Sequence, residues 1–315
     1  MTHASIPPDL AIIIVNWNTR QLLLDCLATL PAATDGISAE TWVVDNGSSD
    51  GSVAAVQAHY PEVRIIANRE NKGFAAANNQ AIRASDSRHV LLLNSDTLPA
   101  GGSLSALVHF LDRHPRVGIV GPELLNGDGS VQRSYASFPT LASELTGRNL
   151  RRRRRFTTSD GSTAYRVDWI GGACFAIRRT AIEQFGLLDE RYFMYTEEAD
   201  WCFRARRAGW EVCYLPEARV VHLGGQSSRM VSTRMKAELY RSKLRFFGKH
   251  YGPLRTYVLG MGLLTIFLTR ATAGALVATL PGRQGAGRTI TRDSGLMLAA
   301  IERQLRQPLA PEVVR

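Results

Sequence analysis

Val90-Leu91-Leu92-Leu93-Asn94-Ser95-Asp96 is a short apolar run that changes abruptly to polar residues and ends on an acid. Four consecutive aliphatic residues with polar residues directly after them predict a strand buried on both faces. Asp96 follows the predicted strand at once, where a carboxylate is well placed to hold a divalent cation. The same residue type also caps helices, so both interpretations of Asp96 stay open.

Comparable apolar runs recur through the first half of the chain, at residues 11–15, 41–44, 63–66 and 117–120. Leucines at helical spacing lie between them, as at Leu23, Leu27 and Leu30. Strands that alternate with helices predict an α/β fold, with a mainly parallel sheet covered by helices on both faces. Ligands of such sheets bind outside the carboxyl ends of the strands, so the residues after each strand are the candidate site.

Polar residues follow the first three strands. Val15-Asn16-Trp17-Asn18 ends the first, and Asp45-Asn46-Gly47-Ser48 follows the second, where a carboxylate can accept a hydrogen bond from a base or a ribose hydroxyl. A simple turn with a helix cap explains the second segment equally well. Asn71-Lys72-Gly73 precedes the next helix, where a cation and backbone amides could both meet a phosphate.

Acids and a histidine mark the second structured block. Glu197, Glu198 and Asp200 lie within four residues, and repulsion between carboxylates raises the proton affinity of at least one, which suits a general base. A solvated helix face is the alternative. His222 ends the apolar run at 220–222, where it is either structural or the completion of a metal site with Asp96.

The positive charge of the chain is concentrated. The net charge is +10, and six arginines lie between residues 148 and 155. This run predicts a mobile solvated loop or a contact with nucleic acid, anionic lipid or a phosphorylated substrate. No nucleic-acid-binding motif frames it, so we expect no nucleic-acid partner. Asn16-Trp17-Asn18 stands where a dinucleotide-binding enzyme has Gly-x-Gly-x-x-Gly, which argues against an oxidoreductase.

The C-terminal part is predicted to be helical and to touch a membrane. Tyr240, Leu244, Phe247 and Tyr251 form one stripe of a basic helix, and an apolar stretch interrupted by Arg270 follows at 256–280. We expect an interfacial or partly buried helical pair; a true membrane span and plain packing onto the first domain remain alternatives. The N-terminal residues lack a secretory pattern and the four cysteines lack metal-type spacing, which favours the cytoplasm.

Taken together and in this order, six segments resemble the inverting glycosyltransferase family 2 with the GT-A fold, in its bacterial rhamnosyltransferase-like branch. The resemblance covers about residues 10–223. The segments are 15–18, 43–50, 71–75, 92–96, Gly171-Gly172-Ala173-Cys174 and 195–201. It implies a GT-A catalytic domain at 10–225 and a helical, basic and amphipathic region at 226–315.

The resemblance also implies roles for single residues. Asp96 and His222 would hold a divalent metal, Mg²⁺ or Mn²⁺. Glu198 would be the catalytic base, with Glu197 and Asp200 as supporting acids, and the choice between Glu198 and Glu197 as base stays open. The implied donor nucleotide site consists of Val15, Asn16, Trp17, Asn18, Asp45, Asn71, Lys72, Gly73, Asn94 and Ser95.

The implied reaction moves a sugar, with inversion, from a dTDP- or UDP-sugar to a saccharide or polyprenyl-diphosphate-linked acceptor in cell-surface polysaccharide synthesis. The donor that the resemblance favours is dTDP-rhamnose. We expect a cytoplasmic protein, peripheral at the inner face of the cell membrane and in contact with its anionic surface. A GT-A domain without catalysis that serves as a binding partner, or a basic nucleic-acid-binding protein, are the alternative functions.

Overall fold

The structure, a computed structural model, describes residues 6–148, 153–156, 158, 163–224 and 232–306. The strands in chain order are β1 (Leu10–Asn16), β2 (Ala39–Asp45), β3 (Arg64–Ala67), β4 (His89–Asn94), β5 (Thr97–Pro99), β6 (Val117–Leu125), β7 (Val131–Gln132), β8 (Tyr135–Ala136), β9 (Arg154–Phe156), β10 (Ala164–Arg166), β11 (Trp169–Ile170), β12 (Cys174–Arg178) and β13 (Glu211–His222). The helices are α1 (Arg20–Ala33), α2 (Ser52–His59), α3 (Phe74–Ala84), α4 (Ser103–Arg113), α5 (Leu141–Thr146), α6 (Arg179–Phe185), α7 (Glu197–Arg207), α8 (Ser232–Tyr251), α9 (Pro253–Ala278) and α10 (Gln284–Arg306).

One large sheet organises the first part of the chain. Its main path runs β3-β2-β1-β4-β12-β6-β13-β10-β9. Strands β1, β2, β3 and β4 are parallel, and β13 is parallel to β6, while β12 runs antiparallel between β4 and β6. The strands β4, β6 and β13 therefore point the same way and end at one edge. The predicted mixed, mainly parallel sheet is confirmed, and all five strands predicted in the first half exist.

The apolar strands are buried on both faces, as their composition predicts. Leu10, Ile12 and Ile14 of β1 pack into one hydrophobic cluster, which includes residues of α1 and α4. Ala11 and Ile13 point to the opposite face and pack into a second cluster with residues of α3 and α7. Because side chains alternate along a strand, one apolar run supplies both clusters. Helices on both faces leave the carboxyl edge of the sheet as the place for a ligand.

The arginine run at 148–155, for which a mobile loop was one prediction, overlaps a short strand at its end. Residues Arg154–Phe156 form β9, which pairs antiparallel with β10 at the border of the sheet. Arg153 stacks over the ring of Tyr165, with its guanidinium carbon 4.3 Å from the ring centroid. Arginine stems can cover aromatic faces, and this explains how a charged segment adds to a sheet edge. Residues 149–152, in the middle of the arginine run, lie outside the described residues.

The chain divides into two compact units. One consists of residues 1–138, 150–193 and 197–227 and holds the sheet; the other consists of 139–149, 194–196 and 228–315. The predicted domain boundary at 225 lies outside the described residues. In the second unit, α8, α9 and α10 pack with the short helix α5. Lys243 of α8 forms an ion pair with Glu144 of α5 at 2.6 Å, and Tyr240 of α8 packs edge-on against Phe267 of α9.

Candidate active site

The carboxyl ends of β1, β2 and β4 meet side by side. Asn16, the last residue of β1, is in register with Asp45, the last residue of β2, and Val15 is in register with Asn94, the last of β4. The sequence alone predicts this meeting, because parallel strands end at the same edge. Of the other predicted donor residues, Trp17, Asn18 and Asn71 are half-buried, and Lys72 is exposed.

A buried chain of side-chain hydrogen bonds joins Asp45 to Ser95. Nδ2 of Asn16 donates to Oδ1 of Asp45 at 2.9 Å, and the Asn16 side-chain oxygen accepts from Thr19 Oγ1 at 2.7 Å. Thr19 Oγ1 is also 2.8 Å from Oγ of Ser95. The other oxygen of Asp45 accepts from the Ser48 amide at 2.9 Å. Both carboxylate oxygens are thus held, so Asp45 has one fixed orientation at the strand ends.

The segment before α3 is organised around Asn71. Its side-chain oxygen accepts from the Gly73 amide at 2.9 Å and from Nδ2 of Asn46 at 3.2 Å. The next amide, that of Phe74, donates to the carbonyl of Phe193 at 2.8 Å. The amides of Gly73 and Phe74 therefore serve the protein itself. That Lys72 and backbone amides of this segment meet a phosphate stays a prediction, in which these two amides have partners within the protein.

Asp96 and His222 come together although 126 positions separate them in the chain. Nε2 of His222 lies 3.3 Å from Oδ1 of Asp96. The reason is the topology: β5, directly after Asp96, pairs with the carboxyl end of β13, where His222 stands in register with Thr97. The Leu223 amide also donates to the Asp96 carbonyl at 2.9 Å. The predicted pair is therefore built by main-chain pairing on both sides.

The state of the His222 ring follows from its neighbour Gln132. The Gln132 amide nitrogen donates to Oδ1 of Asn126 at 2.9 Å and to the carbonyl of His222 at 3.3 Å, which leaves its oxygen facing Nδ1 of His222 at 2.6 Å. Nδ1 must then carry a proton, and in the neutral ring the lone pair is on Nε2. Nε2 is buried, and within the described part of the chain no hydrogen bond reaches it. Gln132 was not among the predicted site residues; it lies on β7, which pairs antiparallel with the end of β6.

A divalent cation fits these two residues. In the neutral form of His222, the lone pair of Nε2 and the carboxylate oxygen of Asp96 face one another at 3.3 Å, an arrangement that a positive charge between them stabilises. Among the described residues no group of three or more His, Cys, Asp or Glu side chains could hold a metal ion. Mg²⁺-type ions in phosphate-binding sites commonly use one or two carboxylates together with substrate oxygens and water, so two protein ligands are compatible with such a site.

The three acids of α7 have different surroundings. Asp200 is fully buried and accepts from Nε of Arg204 at 2.9 Å, and the same guanidinium donates to the carbonyl of Leu187 at 2.7 Å. This geometry gives Asp200 a structural contact that ties the loop before α7 to the helix. Glu197 is 4% exposed. Glu198 is half-buried, which leaves part of it accessible from solvent.

Glu198 is connected to the strand edge through the Gly171-Gly172-Ala173 segment. The Ala173 carbonyl accepts from the Asn94 amide at 2.9 Å. One residue earlier, a Cβ added to Gly172 would lie 3.8 Å from Cδ of Glu198. The carboxyl group of Glu198 therefore lies beside the segment that is bonded to Asn94, two residues before Asp96.

Cys26 lies under the turn between β4 and β5. Its Sγ is 3.7 Å from Oγ1 of Thr97 and 3.9 Å from the Asn94 carbonyl. Burial, aided by the negative charge of Asp96, raises the pKa of this thiol to about 12. All four cysteines are buried and free, as their spacing predicted, and thiols of this kind are poor nucleophiles.

Comparison with known proteins gives a consistent result. Residues 7–241 match the family described as "Glycosyltransferase like family 2". A curated relative, the N-acetylglucosaminyl-diphospho-decaprenol L-rhamnosyltransferase of Mycobacterium tuberculosis, is 33% identical over 234 residues, which is 68% of this chain and 75% of the relative. The low-salt glycan biosynthesis hexosyltransferase Agl10 of Haloferax volcanii is 29% identical over 214 residues, 63% of this chain and 62% of the relative.

Solved structures resemble the fold over nearly the whole chain. The mannosyltransferase PcManGT from Pyrobaculum calidifontis, in complex with GDP-Man and Mn²⁺, has a TM-score of 0.55 at 16% identity and covers 96% of this chain and 88% of its own. GalNAc-T7 with UDP, GalNAc and Mn²⁺ has a TM-score of 0.56 at 14% identity and covers 98% of this chain and 60% of its own. At these identities the likeness concerns the fold.

Proposed function

The chain belongs to glycosyltransferase family 2, and from this premise we propose that it transfers L-rhamnose from dTDP-rhamnose to a polyprenyl-diphosphate-linked saccharide. The family and the GT-A fold agree with the sequence-based prediction, and the protein is a glycosyltransferase. The donor and acceptor belong to the proposal. They are supported by the 33% identity to a rhamnosyltransferase whose name gives an N-acetylglucosaminyl-diphospho-decaprenol acceptor.

The structural observation that supports the proposal is the Asp96–His222 pair. It lies at the carboxyl edge of the sheet, where Asp45 also lies. The buried chain through Asn16 and Thr19 connects the two, because it ends at Ser95, next to Asp96. A nucleotide diphosphate needs a partner for its base or ribose and a positive charge for its phosphates. This edge offers a fixed carboxylate for the first and a cation-binding pair for the second.

Asp96 and His222 are the residues that would hold the metal, whose charge would stabilise the diphosphate as it leaves. Glu198 accepts the proton of the acceptor hydroxyl. The acceptor oxygen forms a bond to the anomeric carbon while the bond from that carbon to the diphosphate oxygen breaks, and the electron pair leaves with the nucleoside diphosphate. One displacement from the opposite side inverts the anomeric centre, and the proton stays on Glu198.

The place of action in the proposal is the inner face of the cell membrane. A polyprenyl-linked acceptor stays in a bilayer, so its enzyme must work at the surface. Among the described residues, α9 (Pro253–Ala278) is the one helix that is long and apolar enough to cross a membrane. Its most apolar 18 residues have a mean hydropathy of 1.6, and 17% of them are buried. Length and composition alone support contact with a membrane as much as crossing.

The test is a transfer assay with defined substrates. Purified protein is incubated with dTDP-rhamnose and a short-chain polyprenyl-diphosphate N-acetylglucosamine, and mass spectrometry follows the gain of one deoxyhexose. UDP-glucose and GDP-mannose serve as donor controls, and chelation with EDTA followed by Mn²⁺ tests the metal. Product from dTDP-rhamnose alone, restored by Mn²⁺ after EDTA, supports the proposal. Transfer only from another donor would contradict the proposed donor. Full activity in EDTA would contradict the proposed metal dependence.

A further inference from the structure

One face of α9 carries a row of exposed apolar side chains. Leu254 is 75% exposed, Leu268 58% and Leu276 69%. The row is completed by Tyr257, Val258 and Met261. The spacing from Leu254 is 3, 4, 7, 14 and 22 residues, which keeps all of them on one side of a helix. At about 1.5 Å of rise per residue, this stripe is about 33 Å long, too long for a chance cluster of surface residues.

The opposite side of α9 is also apolar, and it is buried. Leu259, Leu263 and Phe267 are at most 5% exposed. Gly260 and Gly274 sit against α10: a Cβ added to Gly260 would be 2.7 Å from a methyl of Leu305, and one added to Gly274 would be 2.8 Å from Ile290. A helix that is apolar all round is ordinarily covered on all sides. The described residues of the second unit cover only one side of α9.

Every charge on α9 is positive. Arg255 and Arg270 are its only charged residues, and both are exposed. Arg255, one residue after Leu254, lies at the edge of the stripe, whereas Arg270, 16 residues after Leu254, lies on the opposite side of the helix. An apolar surface with a basic edge is the pattern of helices that lie at an anionic lipid surface. A second copy of the chain fits less well. In a symmetric contact between two stripes, Arg255 would find no acid on the α9 of the other copy to pair with, because α9 contains none.

The packing of α9 against α10 argues against crossing the bilayer. The two helices approach most closely near Gly287, where an added Cβ would lie 2.5 Å from the Gly274 carbonyl and would overlap the backbone of Ala278. α10 carries Arg288, Arg292, Asp293 and Glu302, so it cannot follow α9 into hydrocarbon. Arg270 lies within the apolar stretch itself. A helix held this way can immerse one face only.

We infer that α9 lies parallel to an anionic membrane surface, with the stripe from Leu254 to Leu276 immersed in the lipid interface, Arg255 at the headgroups and Arg270 on the side turned away from the lipid. The inference deepens the proposed membrane location by naming the surface that makes the contact. It concerns lipid binding in the absence of any sugar substrate. If the transfer assay fails, the inference about lipid binding still stands. If the protein does not bind lipid, the proposed transfer reaction still stands.

The experiment is vesicle flotation with the full chain. Vesicles of phosphatidylcholine with a third of phosphatidylglycerol are compared with vesicles of phosphatidylcholine alone. The variant Leu254→Asp/Leu268→Asp removes two apolar contacts from the stripe. Its matched control is Ile6→Asp/Leu296→Asp, two exposed apolar residues elsewhere, since Leu296 is two and a half turns from Gly287 and so on the side of α10 away from α9. Circular dichroism melting checks that all variants are folded.

The expected result is binding of the wild type to anionic vesicles, a partition coefficient at least about tenfold lower for the stripe variant, and no loss for the control. Arg255→Gln should lower binding to anionic vesicles about fivefold and leave the apolar stripe intact, whereas Arg270→Gln should lower it less, so this pair tests the inference even if the aspartate variant fails to fold. Sodium carbonate at high pH should release the bound protein.

Three results of the flotation experiment would overturn the inference. The first is that the wild type does not float with anionic vesicles, and the second is that the stripe variant floats as well as the wild type. The third is that the bound protein resists carbonate extraction, which would indicate a spanning helix. Analytical ultracentrifugation provides the fourth: a wild-type dimer that Leu254→Asp/Leu268→Asp converts to monomer, without vesicle binding, would assign the stripe to a second copy of the chain.

Discussion

The side-chain oxygen of Gln132 accepts a hydrogen bond from Nδ1 of His222 at 2.6 Å, and this fixes which nitrogen His222 turns toward Asp96. The amide of Gln132 cannot flip without facing its nitrogen-bound hydrogens against Nδ1 and its oxygen against the His222 carbonyl. The ring is therefore locked as the tautomer that metal ligands use, with its basic nitrogen directed at the carboxylate.

From this lock we predict that Gln132→Leu weakens metal binding. Without the acceptor at Nδ1 the ring can turn and change tautomer, and loss of such an outer partner typically costs about 10- to 100-fold in affinity. Electron paramagnetic resonance of free Mn²⁺, titrated with protein in the presence of dTDP, measures it directly. Gln57→Leu, at an exposed position of α2, is the matched control. Equal Mn²⁺ affinity in wild type and Gln132→Leu would refute the lock.

The second prediction concerns Thr19, whose hydroxyl joins Asn16 to Ser95. Thr19→Val keeps the shape and removes the hydroxyl, so the Asn16 oxygen and the Ser95 hydroxyl lose a buried partner. We expect the free energy of unfolding to fall by about 1–3 kcal/mol. Urea unfolding followed by fluorescence measures this. Thr29→Val is the control, because the Thr29 hydroxyl bonds to the carbonyl of Cys26 in a half-buried position; the two variants should differ clearly.

Much of the sheet and of the site could be read from the sequence because their causes are local. Apolar runs that end in polar residues predicted the strands. Because parallel strands end at one edge, the same pattern predicted that Asn16, Asp45 and Asn94 lie close together. The link between Asp96 and His222 was only one of two interpretations of His222, and the resemblance to a known family favoured it. Pairing of β5 with β13 across more than 120 positions leaves no periodic signal in either segment.

Other parts could not be predicted, for physical reasons that differ. Gln132 acts through one hydrogen bond, and its residue type is common on any surface. Asp200 resembled its neighbours Glu197 and Glu198 in the sequence, yet helix geometry turns it to Arg204, four residues on, where it is buried. Tyr195 and Thr196 adopt positive φ angles of 68° and 72°, which side chains of this kind disfavour and which no pattern announces.

Gly73 gives a third prediction, on backbone strain. Its φ is +85°, and a Cβ there would lie 2.8 Å from Cδ2 of Phe193 and overlap the Phe193 carbonyl. Gly36 has a φ of +80° with nothing within 4 Å. Gly36→Ala should cost about 1 kcal/mol from the left-handed backbone alone, and Gly73→Ala should cost clearly more because of the overlap. Urea unfolding of both variants separates the cost of the backbone conformation from the cost of the overlap. If both variants lose the same free energy of unfolding, the neighbourhood of Phe193 adjusts to the added methyl group, and the prediction is wrong.

Asp9 gives a prediction for acid stability. The Ser38 amide, followed by the Arg88 guanidinium, lowers the pKa of Asp9 to about 2. A lowered pKa contributes stability above the unfolded value of about 4, and that contribution is lost as the pH falls from about 4 to about 2. With a side chain 27% exposed, we expect about 1–2 kcal/mol. Asp9→Asn should flatten the pH dependence of the urea midpoint in this window. Asp35→Asn, an exposed control, should keep it.

The choice between Glu198 and Glu197 is open to a direct comparison of the two amide variants. Glu198 lies beside Gly172, next to the residue bonded to Asn94, whereas Glu197 is almost wholly buried. If Glu198 takes the proton, Glu198→Gln should lower kcat by about 10²- to 10⁴-fold and leave the affinity for dTDP and Mn²⁺ within about twofold, because the proton moves only during the reaction. A base must also titrate, so residual activity of Glu198→Gln should lose the acid limb of the kcat profile.

Glu197→Gln should act differently. Replacing a buried carboxylate changes the packing at the start of α7, so we expect lower stability in urea with kcat reduced by less than about tenfold. Glu183→Gln, on the exposed surface of α6, controls for the loss of one charge. The assignment reverses if Glu197→Gln abolishes turnover with normal stability while Glu198→Gln keeps both kcat and its acid limb. Because the two acids are adjacent and the variants isosteric, only the position of the carboxylate can account for such a difference.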